Sequence, residues 1–146
     1  MLAVLNGVNL DQLGARDATH YGGVTLDALE TQIYAWARQL GTNARCLQTN
    51  FEGQFVEHIH DARNWANALV INPGAWTHYA WAIRDAVELA GLPFVEVHLS
   101  DVDRREEWRK FSVLSELGGH RVVGQGAEGY RSAMEWLLAH PAEPAG

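Results

Sequence analysis

Apolar positions along the chain fall into short continuous runs separated by stretches with a helical period. Leu2-Ala3-Val4-Leu5 is such a run, and the Asn6-Gly7 turn signal after it predicts a buried strand. From Leu26, the stripe Leu29, Ile33, Trp36, Ala37 and Leu40 recurs at the 3.6-residue period, with Thr25 as N-cap and Gly41 at the end. A weaker strand is expected around Arg45 to Thr49, then a helix marked by Phe55, Ile59 and Ala62. Ala68-Leu69-Val70-Ile71 is the cleanest strand signal, stopped by Asn72-Pro73-Gly74. Ala82, Ile83, Ala86, Val87 and Ala90 predict a helix ending at Gly91 and Pro93. Phe94 to His98 and Val122-Val123 read as further strands, and Tyr130 to Leu138 as a final helix.

Five strands alternating with helices predict an α/β three-layer sandwich around a parallel sheet. Its expected form is a flavodoxin-like order of 2-1-3-4-5, with ligands at the carboxyl ends of the strands. Residues 1–146 are expected to form one catalytic domain, with 139–146 as a frayed tail. One connection breaks the rhythm. The stretch from Asn6 to Gly23 far exceeds the roughly 2–6 residues usual for such loops, and it carries Arg16, His20 and Tyr21. It reads as a lid or binding loop hinged at Gly22-Gly23, with a disordered insertion as the alternative that its Asn, Arg and Tyr content disfavours.

Composition narrows the class. The 146 residues fit one domain and carry a formal net charge of −7, which argues against phosphate-backbone contacts with nucleic acid. The one cysteine, Cys46, excludes an internal disulfide and a cysteine-cluster zinc site. No apolar run approaches the roughly 18 residues of a membrane span, so a cytoplasmic, soluble domain is expected. His58 and His60, two apart on a predicted helix, face different ways and make a poor metal pair. No phosphate-binding glycine motif follows a strand, and Ser112 and Ser115 lack the setting of a nucleophile.

Polar residues gather where strands end. The first strand ends near Asn6 and Asn9, the third at Asn72, and the fourth at Glu96, His98 and Ser100. Residues two apart on a strand share a face, so Glu96 and His98 project together and Val97 points away. A carboxylate beside an imidazole fixes its tautomer and favours its charged form, which suits a proton donor. On one strand alone the pair could equally be a structural hydrogen bond, and its place at the switch point favours the site. Thr77 is read as the N-cap of the next helix, so His78 would sit at a positive helix end and stay neutral, donating to a substrate hydroxyl, or would serve only as a surface histidine. Trp81, Asp85 and Glu88 share an outward helix face that suggests a subunit contact. Arg105 and Arg109 would share one side of a helical turn and could bind oxyanions or hydroxyls, or serve only as a solvated charged face.

Taken together, several segments resemble type II 3-dehydroquinate dehydratase. They are Leu5 to Leu10, Leu13 to Asp17 with Tyr21-Gly22, Ile71 to His78, Ala82 to Ala86, Glu96 to Ser100, Arg105 to Arg109, and Gly124 to Tyr130. The resemblance covers nearly the whole chain, in order. It implies a cofactor-free and metal-free lyase of the shikimate and quinate pathways. Such an enzyme removes water from 3-dehydroquinate by anti elimination through an enolate.

By that resemblance Tyr21 is the general base, and its anion would need a cation, which Arg16 supplies. His98, oriented by Glu96, is the general acid. Asn9 and Asn72 complete the catalytic set, with Asn72 stabilising the enolate oxygen through water. The substrate carboxylate would rest on the backbone N–H groups of Leu99 and Ser100. Arg109 and His78 would hold ring hydroxyls, and Asp85 would reach a neighbouring subunit's site in a trimer-based dodecamer. The sequence departs from the family at Val8 (usually Pro), Asp17-Ala18 (Glu-Pro), Tyr79-Ala80 (Thr-Ser) and Asp101 (Asn). Two other readings stay open on the residues alone: a related lyase or hydratase on another cyclic hydroxy acid, and a flavin- or nucleotide-binding module.

Overall fold

The computed structural model describes residues 1–21 and 23–144. Five parallel strands form its sheet: β1 (Leu2–Asn6), β2 (Ala44–Gln48), β3 (Ala68–Asn72), β4 (Phe94–His98) and β5 (His120–Val123). Their order is β2-β1-β3-β4-β5, as the alternation of elements predicted. β1, β3 and β4 are buried at every position, while the edge strands β2 and β5 are only partly covered. That difference explains the strength of the sequence signals. A central parallel strand is covered on both faces and reads as a continuous apolar run, whereas an edge strand does not.

Two apolar cores lie on the two sides of the sheet. Val4, Val70, Val95 and Val97 pack with Leu29 and Ile33 of α2 (Leu26–Gln39) and with Tyr130, Met134 and Leu137 of α5 (Glu128–Ala139). Leu5, Leu69 and Ile71 pack with Phe55 and Ile59 of α3 (Glu52–Ala62) and with Ile83 and Val87 of α4 (Trp81–Ala90). Thr25 caps α2 as expected, its side chain accepting from the Ala28 N–H. Ala82, expected on the core stripe of α4, is exposed, and Ile83, Ala86 and Val87 carry that face. Ala139, expected in the frayed tail, still belongs to α5; residues 145–146 lie outside the described residues.

The long connection after β1 is not a structureless loop. A 3-10 turn spans Leu10–Ala15, and a single helical turn, α1, spans Ala18–Tyr21. Leu10 and Leu13 are buried in the core, which anchors the first half of the connection. Of the expected glycine hinge, Gly23 has φ +68°, and Gly22 lies outside the described residues.

Two loops cross at the carboxyl end of the sheet and leave no space for side chains. A Cβ on Gly7, after β1, would stand 2.5 Å from the Pro73 carbonyl oxygen, after β3. Gly74 has φ +64°, and a Cβ there would stand 2.7 Å from the Val8 carbonyl oxygen. These contacts bring the segments that carry Asn9 and Asn72 together.

Candidate active site

Register places the polar strand ends side by side. Asn6 pairs with Asn72, Ile71 with Glu96, and His98 with Val123, so the ends of β1, β3 and β4 form one floor. This is the switch point of the sheet, where a crevice opens between strands whose connections run in opposite directions. A cleft of about 130 Å³ opens there. It is lined by Asn9, Arg16, Tyr21, Asn72, His78, His98, Leu99, Ser100 and Arg109 among the predicted site residues, and by Arg105 as well.

Tyr21 ends α1 and turns its ring inward, leaving it 8% exposed. Its hydroxyl oxygen receives two guanidinium donors. Arg16 Nη2 donates from the same connection, and Arg105 Nη1 donates at 2.7 Å from the far side of the cleft. The Arg16 guanidinium also lies 3.7 Å from the centre of the Tyr21 ring. Burial holds Arg16 below the ordinary guanidinium value; Tyr21 opposes that, and Arg105 and Arg109 add to it. Clustered cations of this kind favour an anionic ligand between them.

On the opposite wall, His98 Nε2 lies 2.6 Å from Glu96 Oε2, and both side chains are almost wholly buried. Because the carboxylate can only accept, Nε2 is the donor, and the other ring nitrogen is left for the cleft. Glu96 also accepts from Thr77 Oγ1 at 2.6 Å and from Ser112 Oγ at 2.7 Å. Burial pushes the Glu96 carboxyl upward, but the bonds and charge of His98, with the Ser112 and Thr77 hydroxyls, outweigh it. The group stays ionised below the usual carboxylate range. The pair predicted from the period of one strand is therefore real, and its supports come from two distant segments.

His78 requires a correction. Thr77 caps no helix: it lies inside the 3-10 turn Gly74–His78, its hydroxyl is used by Glu96, and α4 starts later, after Ala80. His78 thus closes a short turn instead of opening a helix. Burial is the leading cause that lowers its pKa; the Phe111 bond opposes it, and the neighbouring His98 and Arg109 reinforce it. Its Nδ1 donates to the Phe111 carbonyl oxygen at 2.7 Å. A neutral His78 therefore offers an Nε2 lone pair, an acceptor for a hydroxyl where a donor was expected. Its ring is nearly parallel to that of His98, with centres 6.4 Å apart.

Arg105 and Arg109 do not share a helical turn. Arg105 follows the turn Val102–Arg104 in an extended conformation, and Arg109 closes the separate turn Glu107–Arg109. Both still line the cleft, and Glu106 Oε2 fixes Arg109 by accepting from its Nε at 2.6 Å. Asn72 Nδ2 donates to the Tyr130 hydroxyl, which donates in turn to Asn6 Oδ1 at 2.6 Å. Asn6 is thus a buried brace, while Asn9 faces the cleft. Asn9 has φ 66°, unique to it among the described non-glycine residues, and its N–H donates to Asn50 Oδ1.

Asp85 is not brought to this cleft; it is exposed on α4 and accepts from Arg84. Asp101 pairs with Arg104 at 3.3 Å and stays outside the cleft lining. Sequence reasoning missed the Arg105 bond to Tyr21, the two hydroxyls on Glu96, and the Tyr130 brace. A buried carboxylate must find donors, but nothing local in the sequence says which. Among the described residues no group of three or more His, Cys, Asp or Glu side chains could hold a metal ion. No helix among them is long and apolar enough to cross a membrane.

Residues 1–138 match the family model described as Dehydroquinase class II. A 3-dehydroquinate dehydratase of Deinococcus radiodurans is 49% identical over 138 residues, spanning 94% of this chain and 96% of that relative. One from Bacillus subtilis (strain 168) is 43% identical over 136 residues, spanning 93% and 92%. The crystal structure of the type II dehydroquinase from Butyrivibrio crossotus DSM 2876 superposes with a TM-score of 0.91 at 38% identity. That match covers 94% of this chain and 96% of the other. Likeness in sequence and in backbone thus runs through almost the whole chain, which belongs to the dehydroquinase class II family.

Proposed function

We propose that the protein is a type II 3-dehydroquinate dehydratase, a hydro-lyase that converts 3-dehydroquinate to 3-dehydroshikimate. The observation that carries the reading is the Tyr21 oxygen, held by two guanidiniums in the same cleft as the Glu96-bound His98. Tyr21, as phenolate, removes the hydrogen from the carbon beside the ketone. The electron pair moves onto the ketone oxygen, giving an enolate that polar groups at Asn9 and Asn72 stabilise through water. The enolate then reforms the ketone and expels the hydroxyl. His98 gives that hydroxyl its proton, so water leaves and a conjugated enone remains. Tyr21 returns its proton to solvent and His98 regains one.

The ring carboxylate rests near the backbone of Leu99 and Ser100, beside Arg105. Arg109 and His78 take ring hydroxyls, His78 as acceptor. Asp85 completes the site of a neighbouring copy in a trimer-based dodecamer, a role supported by its outward position beside exposed Trp81. Purified protein mixed with 3-dehydroquinate should develop the ultraviolet absorbance of the enone, and Tyr21→Phe should abolish it. Full activity in Tyr21→Phe would remove the phenolate from the mechanism.

A further inference from the structure

Glu96 has a fourth neighbour that the reaction above leaves unused. Register pairs Glu96 of β4 with Arg121 of β5, so both side chains leave the same face of adjacent strands. Arg121 Nε stands 4.0 Å from Glu96 Oε2, within ion-pair reach but beyond hydrogen-bond distance. At the surface, Arg121 Nη1 donates to Asp103 Oδ1 at 3.4 Å. Its Nε and Nη2 are buried without a hydrogen-bond partner among the described residues. Burying unpaired N–H groups is costly, so charge attraction to Glu96 must offset the arrangement.

We infer that Arg121 is a positioning residue: it draws part of the Glu96 charge away from His98, making the imidazolium readier to release its proton. This rests on the reading of His98 as the proton donor. A carboxylate devoted to one imidazolium stabilises the charged ring and makes it a sluggish acid. A second cation weakens that hold in two ways, by competing for Glu96 and by repelling the imidazolium. Other charged or titratable groups also face the pair. His78 stacks on His98 from the turn after β3, Arg105 and Arg109 face it across the cleft, and Asp103 pulls Arg121 outward. Thr77 and Ser112 donate to Glu96 but carry no charge. Arg121 is not among the residues that line the cleft, so on this reading its influence is present before and after turnover.

The test follows the His98 ring by histidine NMR titration, alongside the pH profile of kcat/KM on 3-dehydroquinate. In Arg121→Met, the His98 titration and the alkaline limb should both move upward by about one pH unit, and Arg121→Lys should restore most of the shift. Asp103→Asn frees Arg121 to turn fully onto Glu96, so both readouts should move downward. Asp103 has a half-exposed side chain, so this second variant decides the matter whatever Arg121→Met does to folding. Unmoved titrations in folded Arg121→Met, or in Asp103→Asn, would overturn the inference. A His98 titration that shifts without the alkaline limb following would support the Arg121 coupling and contradict His98 as the acid.

Discussion

Arg105 Nη1 donates to the Tyr21 hydroxyl oxygen at 2.7 Å, joining residues 84 positions apart in the chain. With Arg16 on the other side, the oxygen has a preorganised cationic setting before any ligand arrives. Removing one donor from a developing or resting oxyanion typically costs about 10²–10³-fold in kcat. Arg105→Met should therefore lower kcat by about that factor with an unchanged melting temperature, and Arg16→Met should do the same. Near-normal turnover in either variant would show that the tyrosine oxygen does not depend on that guanidinium.

Glu96 ties three segments together, since Thr77, Ser112 and His98 all bond its carboxylate. Glu96→Gln keeps the shape but replaces one acceptor oxygen with a donor facing groups that themselves donate. A loss of about 1–3 kcal/mol is expected in urea unfolding, together with a fall in kcat as His98 loses its orienting anion. Glu96→Gln with wild-type stability and turnover would contradict the network.

Stability should fall with pH in two stages. His78 is held below its ordinary value of 6.5 by burial, so the unfolded chain takes up that proton first as pH drops through about 6.5. Glu96 is held below its ordinary value of 4.5, so its contribution is intact above about 4.5 and disappears below that, as pH falls through the folded value. Melting temperature measured against pH should show a smaller first stage in His78→Asn, with His58, also lowered by burial, supplying the rest, and a smaller second stage in Glu96→Gln. A melting temperature that rises on acidification would contradict both assignments.

Tyr130 is fully buried, and its hydroxyl bridges Asn6 and Asn72. Tyr130→Phe leaves both amides short of a partner, at a cost of about 1–3 kcal/mol. The change should also loosen Asn72 and lower kcat, since Asn72 acts on the enolate. Gly7→Ala should be worse, because its Cβ would collide with backbone at Pro73 and push apart the segments that carry Asn9 and Asn72. Little soluble protein, or folded protein with weak activity, is the expected outcome, and a stable, fully active Gly7→Ala would show that the crossing is not needed.

The framework was legible wherever burial is two-sided. β1, β3 and β4 announce themselves as apolar runs, and α2 as a capped 3.6-residue stripe. The Glu96–His98 contact could be read from strand alternation alone, because two residues on one strand face need no tertiary information. What failed was local chemistry overruled by tertiary demand. Thr77 looks like a helix cap, but the buried Glu96 claims its hydroxyl, and the chain takes a 3-10 turn instead. The first connection looks like an open loop because Leu10 and Leu13, three apart, make too short a pattern to read as structure. Arg105 is invisible as a partner of Tyr21, since no periodicity spans the distance between them.

The division of labour between Tyr21 and His98 is tested most directly by hydrogen exchange during the reaction. With 3-dehydroquinate in D2O, NMR follows loss of the carbon-bound hydrogen beside the ketone separately from loss of water. His98→Asn should still exchange that hydrogen while failing to form enone, and Tyr21→Phe should do neither. Exchange that persists in Tyr21→Phe, or stops in His98→Asn with its fold intact, would contradict a phenolate base opposite an imidazole acid.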